Sequence, residues 1–164
     1  MAGAKHTARL ADWDAGATTR LVEDLCRQDG PLLPILHALQ HRHGYIDERA
    51  LPIIADVLNL SRAEVHGVVS FYHDFRRQPP GRHVIRLCRA EACQSVGCER
   101  VARRLEAILA IATGETTPDG RVTLESVYCL GNCALGPAAL VDGKLHGRVD
   151  EQLLLRLVSV EAHP

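Results

Sequence analysis

Apolar residues in the first half of the chain recur at helical spacing. From residue 18 to about residue 74 they return every three or four positions within four short runs, which is the period of one buried helix face. Residues that start or stop helices separate these runs: Gly30-Pro31, Gly44, Asp47 as an N-cap, and Ser61 with Glu64 as a capping box. The pattern predicts four short helices that pack as a small bundle over residues 18–78.

Residues 1–17 lack such a period. They are rich in Ala and Gly with scattered charges, so we expect an N-terminal arm that has no structure of its own. The exception is Trp13, whose large ring favours contact with apolar surface. Either this ring docks on the chain itself or on a partner subunit, or it stays locally tucked or solvated.

The helical pattern stops at a proline-rich segment. Residues 76–81 are Arg-Arg-Gln-Pro-Pro-Gly, and the two prolines fix φ and remove N–H donors, so no helix continues through them. We therefore place a domain boundary here. It separates the helical bundle at 18–78 from a second domain at 79–164.

Beyond the boundary, strand and helix patterns alternate. Short apolar runs predict strands at 83–87, 122–128, 138–141 and 145–149, the last two joined by a turn at Asp142-Gly143. A long helix is predicted from near Ser95 to Gly114, and a last helix after Asp150 as N-cap. This order predicts an α+β fold, close to α/β, in which the helical bundle precedes a domain with a mixed β-sheet and flanking helices.

The long helix has one apolar face and one charged face. Its predicted buried positions are Val101, Leu105, Ile108, Leu109 and Ala112. Glu99 stands four residues before Arg103, a spacing that favours an ion pair on the exposed face.

The charge of the chain is almost balanced. Nineteen Lys and Arg offset 20 Asp and Glu, so no basic excess points to nucleic acid as a partner. No apolar stretch approaches the roughly 20 residues that span a bilayer, and the first residues lack the apolar core of a secretory signal. Asp12 and Asp14 also disfavour a mitochondrial transit peptide. We expect a cytoplasmic protein with no direct membrane insertion.

Two short cysteine-bearing loops follow predicted strands. Cys88 and Cys93 enclose four residues after the first strand, and Cys129 and Cys133 enclose three residues after the second. A fold can bring strand ends together, so the loops predict a pocket of four thiolates. In the second loop, a glycine at 131 leaves backbone amides free to turn toward sulfur, and Asn132 tolerates positive φ. Hydrogen bonds of this kind tune the potential of an iron–sulfur cluster.

The spacing of the cysteines leaves other uses open. Structural zinc also takes four thiolates, although the 35 residues between Cys93 and Cys129 suit a compact zinc ribbon less well. A zinc-stabilised structural adaptor is therefore an alternative of a different class. A thioredoxin-type dithiol would need two residues between its cysteines, and structural disulfides are rare in a reducing compartment.

The other cysteines and the histidines favour structural roles. Cys26 and Cys98 share helix faces with apolar residues, as small buried hydrophobes do, although Cys98 repeats the first spacing after Cys93 and is available for a ligand swap after mutation. His37 and His41 have a metal-binding spacing, but no third ligand stands near them in the sequence. We find no Gly-rich phosphate loop, no G-x-S-x-G motif and no carboxylate pair, so no catalytic residues are predicted.

Several motifs together resemble one known family. They are Gly44-Tyr45-Ile46, Val68-Val69-Ser70-Phe71-Tyr72, Gly81-Arg82-His83-Val84-Ile85, both cysteine loops and Gly120-Arg121-Val122-Thr123-Leu124. In these motifs the chain is similar to the thioredoxin-like [2Fe-2S] ferredoxins. That family includes the NuoE-type subunit of respiratory complex I, the diaphorase subunit of NAD-linked hydrogenases and the gamma subunit of soluble NAD-dependent formate dehydrogenases. Two segments, at 136–139 and 146–149, look most like the formate dehydrogenase gamma subunit.

The resemblance implies a thioredoxin-like second domain and an iron–sulfur cofactor. It carries metal-ligand and cofactor-binding roles for a [2Fe-2S] cluster onto Cys88, Cys93, Cys129 and Cys133. It implies a non-catalytic electron-transfer subunit of an NAD-dependent dehydrogenase complex, with formate dehydrogenase expected first and complex I or an NAD-linked hydrogenase as alternatives. The implied partners are an iron–sulfur subunit that binds FMN and NAD and a larger catalytic subunit. Pro137 stands where thioredoxin-like folds often keep a cis proline.

Overall fold

The computed structural model describes residues 13–159, which divide into two compact units at 13–79 and 80–159. The predicted arm at 1–17 therefore lies mostly outside the described residues. Its last residues are helical, because the Asp14 carboxylate accepts hydrogen bonds from the amides of Gly16 and Ala17 and caps a helix that begins at Ala15. Across residues 13–159, no helix combines the length and apolar character needed to cross a membrane.

Four helices make up the described part of the first unit. They are α1 (Ala15–Leu25), α2 (Leu32–His43), α3 (Ala50–Leu58) and α4 (Arg62–Phe71). Their apolar faces meet in one core, whose largest fully buried side chains include Val22, Ile35, Leu36, Leu39, Ile54 and Val65. The helical bundle predicted from the apolar period is confirmed.

The ends of these helices follow local signals, with one exception. Gly44 closes α2 with a left-handed φ of 80°. Ser61 and Glu64 form the predicted capping box: each side chain accepts a hydrogen bond from the other residue's amide. Asp47, however, is not the N-cap of α3. It accepts from the Arg49 amide in the preceding turn, and Arg49 is the residue before the helix.

Trp13 docks on the helical unit of its own chain. Its ring packs against the core, and the guanidinium carbon of Arg49 lies 4.7 Å from the ring centroid in a cation–π contact. Arg49 also donates to both carboxylate oxygens of Asp47, at 2.9 and 2.7 Å, and the Tyr45 hydroxyl donates to the same carboxylate at 3.0 Å. Of the alternatives that the sequence left open for Trp13, docking on this chain is the one observed.

The second unit is built on a four-stranded mixed sheet. Its elements are β1 (His83–Cys88), α5 (Glu91–Ser95), α6 (Cys98–Leu109), β2 (Val122–Val127), β3 (Ala139–Val141), β4 (Lys144–His146) and α7 (Glu151–Ser159). The strand order is β2-β1-β3-β4, with β1 parallel to β2 and antiparallel to β3, and β3 antiparallel to β4. Apolar residues of α6 and α7 pack with those of the sheet in one core. The predicted mixed sheet with flanking helices is confirmed.

The parallel pairing of β1 and β2 positions the two cysteine loops. Cys88, the last residue of β1, lies opposite Val127, the last residue of β2. Because parallel strands end at the same edge of a sheet, the segments at 88–93 and 128–133 leave the sheet side by side.

The long helix predicted to begin near Ser95 is two helices. α5 is one short helix that contains Cys93, and Gly97 then adopts a left-handed φ of 94°. α6 begins only after this turn, at Cys98. The chain changes direction here because glycine adopts the left-handed conformation at little cost.

The C-terminal end of this predicted helix also differs. Ala110 takes a left-handed φ of 53° directly after α6, so Gly114 is not the residue that ends the helix. Ile111, beyond the turn, is buried, whereas Ile108 and Ala112 are exposed, contrary to the prediction. The predicted positions that do face the core are Val101, Leu105 and Leu109.

β4 is shorter than the strand predicted at 145–149. The amides that would continue it bond elsewhere: Arg148 donates to the carbonyl of Leu135 at 2.6 Å, and Val149 donates to that of Pro137 at 2.9 Å. This segment therefore leaves the sheet and follows the second cysteine loop. Asp150 then caps α7 as predicted, because its carboxylate accepts from the amide of Leu153 at 2.7 Å.

Candidate functional site

The four cysteines of the two loops lie near the edge where β1 and β2 end. Cys88 ends β1 and Cys93 lies in α5, and both are buried. Cys129 follows β2, and Cys133 opens a short 3-10 turn, Cys133–Leu135; both are exposed. The site therefore has a buried pair and an exposed pair of thiols.

The exposed pair has the separation of two ligands on one metal ion. The Sγ atoms of Cys129 and Cys133 are 3.9 Å apart. Two thiolates on a tetrahedral metal ion, with metal–sulfur bonds of about 2.3 Å, lie about 3.8 Å apart. The hydrogen bond with the Cys129 thiol raises the pKa of Cys133, as expected when two sulfurs compete to carry negative charge.

Backbone amides from both loops act on the sulfur of Cys88. Burial by itself would raise the pKa of this thiol, but the amide of Ala90, the Cys93 thiol and the amides of Cys129 and Leu130 lower it overall. Two of these amides belong to the second loop. The second loop therefore closes over a sulfur of the first, and the buried and exposed pairs meet.

The other buried thiol has a different environment. Burial raises the pKa of Cys93, and the neighbouring Cys88 raises it further. The amide of Ala138, next to the start of β3, donates to this sulfur and offsets part of the increase. The two buried thiols therefore differ in the backbone amides that act on them.

The second loop turns through two left-handed residues. Cys129 has a φ of 65° and Gly131 a φ of 75°, whereas Asn132 has a φ of −102°. The tolerance of Asn132 for positive φ is therefore not used in this loop.

Two glycines allow neighbouring segments to pack closely around the second loop. A Cβ atom on Gly147 would lie 2.7 Å from the Cβ atom of Leu135 and 2.8 Å from the side-chain amide of Asn132. A Cβ atom on Gly136 would lie 2.9 Å from Val96 Cγ2. The peptide bond between Gly136 and Pro137 is cis, at the position where such a proline was expected.

The four thiols match the donor set of a two-iron cluster. Cys88 and Cys93 lie in one buried cluster, and the Sγ atoms of Cys129 and Cys133 lie 3.9 Å apart, so the sulfurs form two pairs. A [2Fe-2S] cluster takes four cysteine thiolates, two on each iron. The donor set therefore fits a [2Fe-2S] cluster.

Comparison with known proteins decides the family. Residues 18–160 match the model of the thioredoxin-like [2Fe-2S] ferredoxins. The chain belongs to this family. Its cofactor, a [2Fe-2S] cluster, is the one that the paired thiols suit, and the resemblance inferred from the sequence motifs is confirmed.

Curated relatives of this ferredoxin cover most of its length. One NADH-quinone oxidoreductase subunit, from Pseudomonas aeruginosa, is 42% identical over 114 residues, which are 70% of this chain and 69% of the relative. The HndA subunit of the NADP-reducing hydrogenase of Solidesulfovibrio fructosivorans is 35% identical over 130 residues, 79% of this chain and 76% of the relative.

A solved structure shares the fold. The NAD+-reducing [NiFe]-hydrogenase in the air-oxidised state aligns with a TM-score of 0.66 and 29% identity over 78% of this chain. The alignment covers only 22% of the hydrogenase chain, so the ferredoxin matches one part of a much longer protein.

The remaining two cysteines of the ferredoxin lie in different places. Cys98 is fully buried at the start of α6 and packs with Cys88 and Cys93, and burial raises its pKa. Cys26 follows the last residue of α1 and is half-buried. Cys98 is thus the cysteine nearest to the candidate site outside the two loops.

His37 and His41, which share a metal-binding spacing on α2, have separate surroundings. The ring of His37 packs on Phe75, with centroids 5.0 Å apart, and His41 is exposed. No metal-binding group of three or more side chains includes them within the described part of the chain.

The structure adds an ion pair that the sequence pattern did not indicate. Arg89, inside the first cysteine loop, donates from Nε and Nη2 to the two carboxylate oxygens of Glu99 at 2.8 and 2.6 Å. Glu99 forms its ion pair with Arg89, and Arg103, the partner predicted from the spacing, lowers the pKa of Glu99 only through its charge. Residues 89 and 99 have no periodic relation, since a loop and a short helix separate them, so sequence spacing carried no signal for this pair.

Three exposed apolar side chains near the cysteines were also not indicated by the sequence pattern. Tyr128 is 72% exposed, Val96 50% and Leu135 42%. Only the position of each in or beside a cysteine loop could have singled it out. Together they give the surface around the exposed thiols an apolar character.

Proposed function

We propose that this chain is a one-electron-transfer subunit whose [2Fe-2S] cluster is bound by Cys88, Cys93, Cys129 and Cys133. The observation that carries the proposal is the contact between the loops: Leu130 of the second loop packs against the buried cluster that includes Cys88 and Cys93, and the Sγ atoms of Cys129 and Cys133 lie 3.9 Å apart. When bound, the cluster supplies one-electron redox chemistry, and the chain itself needs no catalytic residue.

The buried and the exposed cysteines have different roles at the site. Burial of Cys88 and Cys93 excludes water from one side of the cluster, and backbone amides that donate to sulfur offset its negative charge. Cys129 and Cys133 are exposed, so the other side lies at the surface. The chain holds the cluster in place and leaves one edge accessible for electron exchange.

The surface around the exposed thiols is the proposed partner surface. Val96, Tyr128 and Leu135 present apolar area there, and aromatic and aliphatic side chains in such positions favour protein contact. We infer that the partner is an iron–sulfur subunit that binds FMN and NAD, joined by a larger catalytic subunit. Support comes from relatives named as subunits of NADH-quinone oxidoreductase and of NADP-reducing hydrogenase.

Within this class of complex, the proposed assembly is a formate dehydrogenase. Its support is the likeness of residues 136–139 and 146–149 to the gamma subunit, and these two segments pack on the second cysteine loop. The equivalent subunit of complex I or of an NAD-linked hydrogenase is the alternative. Isolation of the chain with its native partners tests the assignment. Reduction of the cluster by formate supports a formate dehydrogenase. Reduction by hydrogen would instead indicate a hydrogenase, and reduction only by NADH would indicate complex I.

The cofactor itself is tested on the full chain purified without oxygen. About two irons per chain are expected, with a visible band that dithionite bleaches and a rhombic EPR signal in the reduced protein. Cys129→Ser should lose the band, and Cys26→Ser should keep it. A colourless protein with one zinc, from cells supplied with iron, would replace the proposal with a zinc-stabilised adaptor.

A further inference from the structure

Arg89 lies where the two cysteine loops meet. It directly follows Cys88, and its amide donates at 2.9 Å to the carbonyl of Val127, two residues before Cys129. Its own carbonyl accepts a hydrogen bond from the side chain of Gln94, in α5, at 2.8 Å. The backbone of this one residue therefore joins the first loop to the strand that carries the second loop.

The side chain of Arg89 adds a connection to α6. Its two hydrogen bonds reach separate oxygens of Glu99, at 2.8 and 2.6 Å. A bidentate contact of this kind fixes both the distance and the relative orientation of the two side chains, which a lysine ammonium does not do. Glu99 lies in the first turn of α6, where the helix amides favour a carboxylate. The side chains are 30% and 40% exposed, so the pair is partly sheltered from solvent.

We propose that the Arg89–Glu99 ion pair is a latch that positions the first cysteine loop for cluster binding. It attaches the segment at 88–93 to α6, so that Cys88 and Cys93 keep their separation. Arg89 and Glu99 are positioning residues that act through the loop backbone. This inference rests on the proposed function, because it requires Cys88 and Cys93 to be cluster ligands.

A purely electrostatic role would have a different signature. A positive charge near the cluster favours its reduced, more negative state, so loss of the Arg89 charge and loss of the Glu99 charge would act in opposite directions. Breaking a latch has the same effect whichever partner is removed. The sign of the two effects on cluster release therefore distinguishes a latch from a charge effect.

The test measures how fast an iron chelator bleaches the visible band of the full-length chain, after an iron count shows that each variant is loaded. Arg89→Gln and Glu99→Gln should each speed release about fivefold, the equivalent of about 1 kcal/mol, and the double variant no more than either alone. Arg89→Lys keeps the charge, so it should release iron like Arg89→Gln but retain the wild-type reduction potential. Arg104→Gln is the matched control, because it breaks another ion pair of α6, with Glu151 of α7.

The release rates either support or overturn the proposed latch. Faster release in both single variants, with the wild-type rate in Arg104→Gln, supports the latch, as does loss of the cluster during purification from both but not from the control. Wild-type release in either variant, equal acceleration in the control, or opposite effects of the two variants overturns the latch. If the wild-type chain holds no iron, the proposed function fails first, and the iron count shows which idea has failed.

Discussion

The sulfur atoms at the site differ in what surrounds them. Burial acts to raise the pKa of Cys88, yet backbone amides from two loops lower it overall, whereas Cys93 keeps a raised pKa. Cys98 shares their buried surroundings but belongs to α6. Burial is therefore common to the proposed ligands Cys88 and Cys93 and to Cys98. The amides directed at sulfur distinguish the two ligands from Cys98.

This difference predicts unequal effects of removing buried thiols. Cys98→Ala should keep about two irons per chain and lower the free energy of unfolding by about 1 kcal/mol, through a small cavity behind the site. Cys93→Ala should lose the cluster. Iron counts and visible spectra of both variants check this, and the prediction is wrong if the alanine at 98 releases iron as completely as the one at 93.

In the helical unit, the ionised carboxylate of Asp47 contributes to the stability of the fold. Hydrogen bonds from the side chain of Arg49 lower its pKa from 3.8 to about 2, although burial opposes them. Because the folded pKa lies below the unfolded one, the ionised form stabilises the unit above about pH 4, and that stabilisation is lost as the pH falls from about 4 through 2.

Asp47→Asn should therefore flatten the acid dependence of the helical unit. The difference in unfolding free energy from wild type should be at most about 1 kcal/mol at pH 5, because Arg49 is exposed, and should shrink toward pH 2. Urea unfolding followed by helical circular dichroism measures it. Asp56→Asn, at an exposed position of α3, is the control and should parallel wild type across the same range.

At the scale of elements, the second cysteine loop depends on the segment after β4. That segment bonds to Leu135 and Pro137 instead of extending the sheet, and Gly147 packs against the loop too closely for a side chain. The loop therefore has protein on its inner side and exposed thiols on its outer side. Its shape is imposed by a strand that ends at His146, 13 residues after Cys133.

Gly147→Ala should displace this loop. A Cβ atom 2.7 Å from that of Leu135 forces a shift, with an expected loss of about 1–3 kcal/mol in unfolding free energy and faster loss of the cluster to a chelator. Gly143→Ala is the control: its φ is 79° but its Cβ atom would meet nothing within 4 Å. It should cost about 1 kcal/mol through backbone strain and leave cluster release unchanged. Equal release from both variants would contradict the role of packing at 147.

At the scale of the whole molecule, the site belongs to one unit. Both cysteine loops, the four strands and the core they share with α6 and α7 lie within residues 80–159. The helical unit has a core of its own. Each part therefore buries apolar surface without needing the other to complete its core.

We accordingly predict that a fragment of residues 79–164 binds the cluster. It should show the visible and EPR spectra of the full chain, and a fragment of residues 13–78, which keeps Trp13 and the cap of α1, should be helical and colourless. Circular dichroism and iron counts on the two fragments measure this. An unfolded or iron-free C-terminal fragment, alongside a loaded full chain, would show that the cluster domain does not fold alone.

The sequence by itself determined the features that depend on nearby residues. The four helices of the first unit, the capping box at Ser61 and the turn at Gly44 follow from apolar period and local hydrogen bonds, which involve residues only a few positions apart. The same holds for the spacing within each cysteine loop, and the family motifs indicated the cofactor.

Only the tertiary structure decided how distant parts meet. The register of β1 with β2 sets the loops side by side, Leu130 packs on the buried cluster that includes Cys88, and Glu99 forms its ion pair with Arg89. The early end of β4 has the same origin, since the amides of Arg148 and Val149 bond to the carbonyls of Leu135 and Pro137. In each case the decisive contact joins residues with no fixed spacing, and its free energy depends on where the whole sheet places them, so local sequence could not specify it.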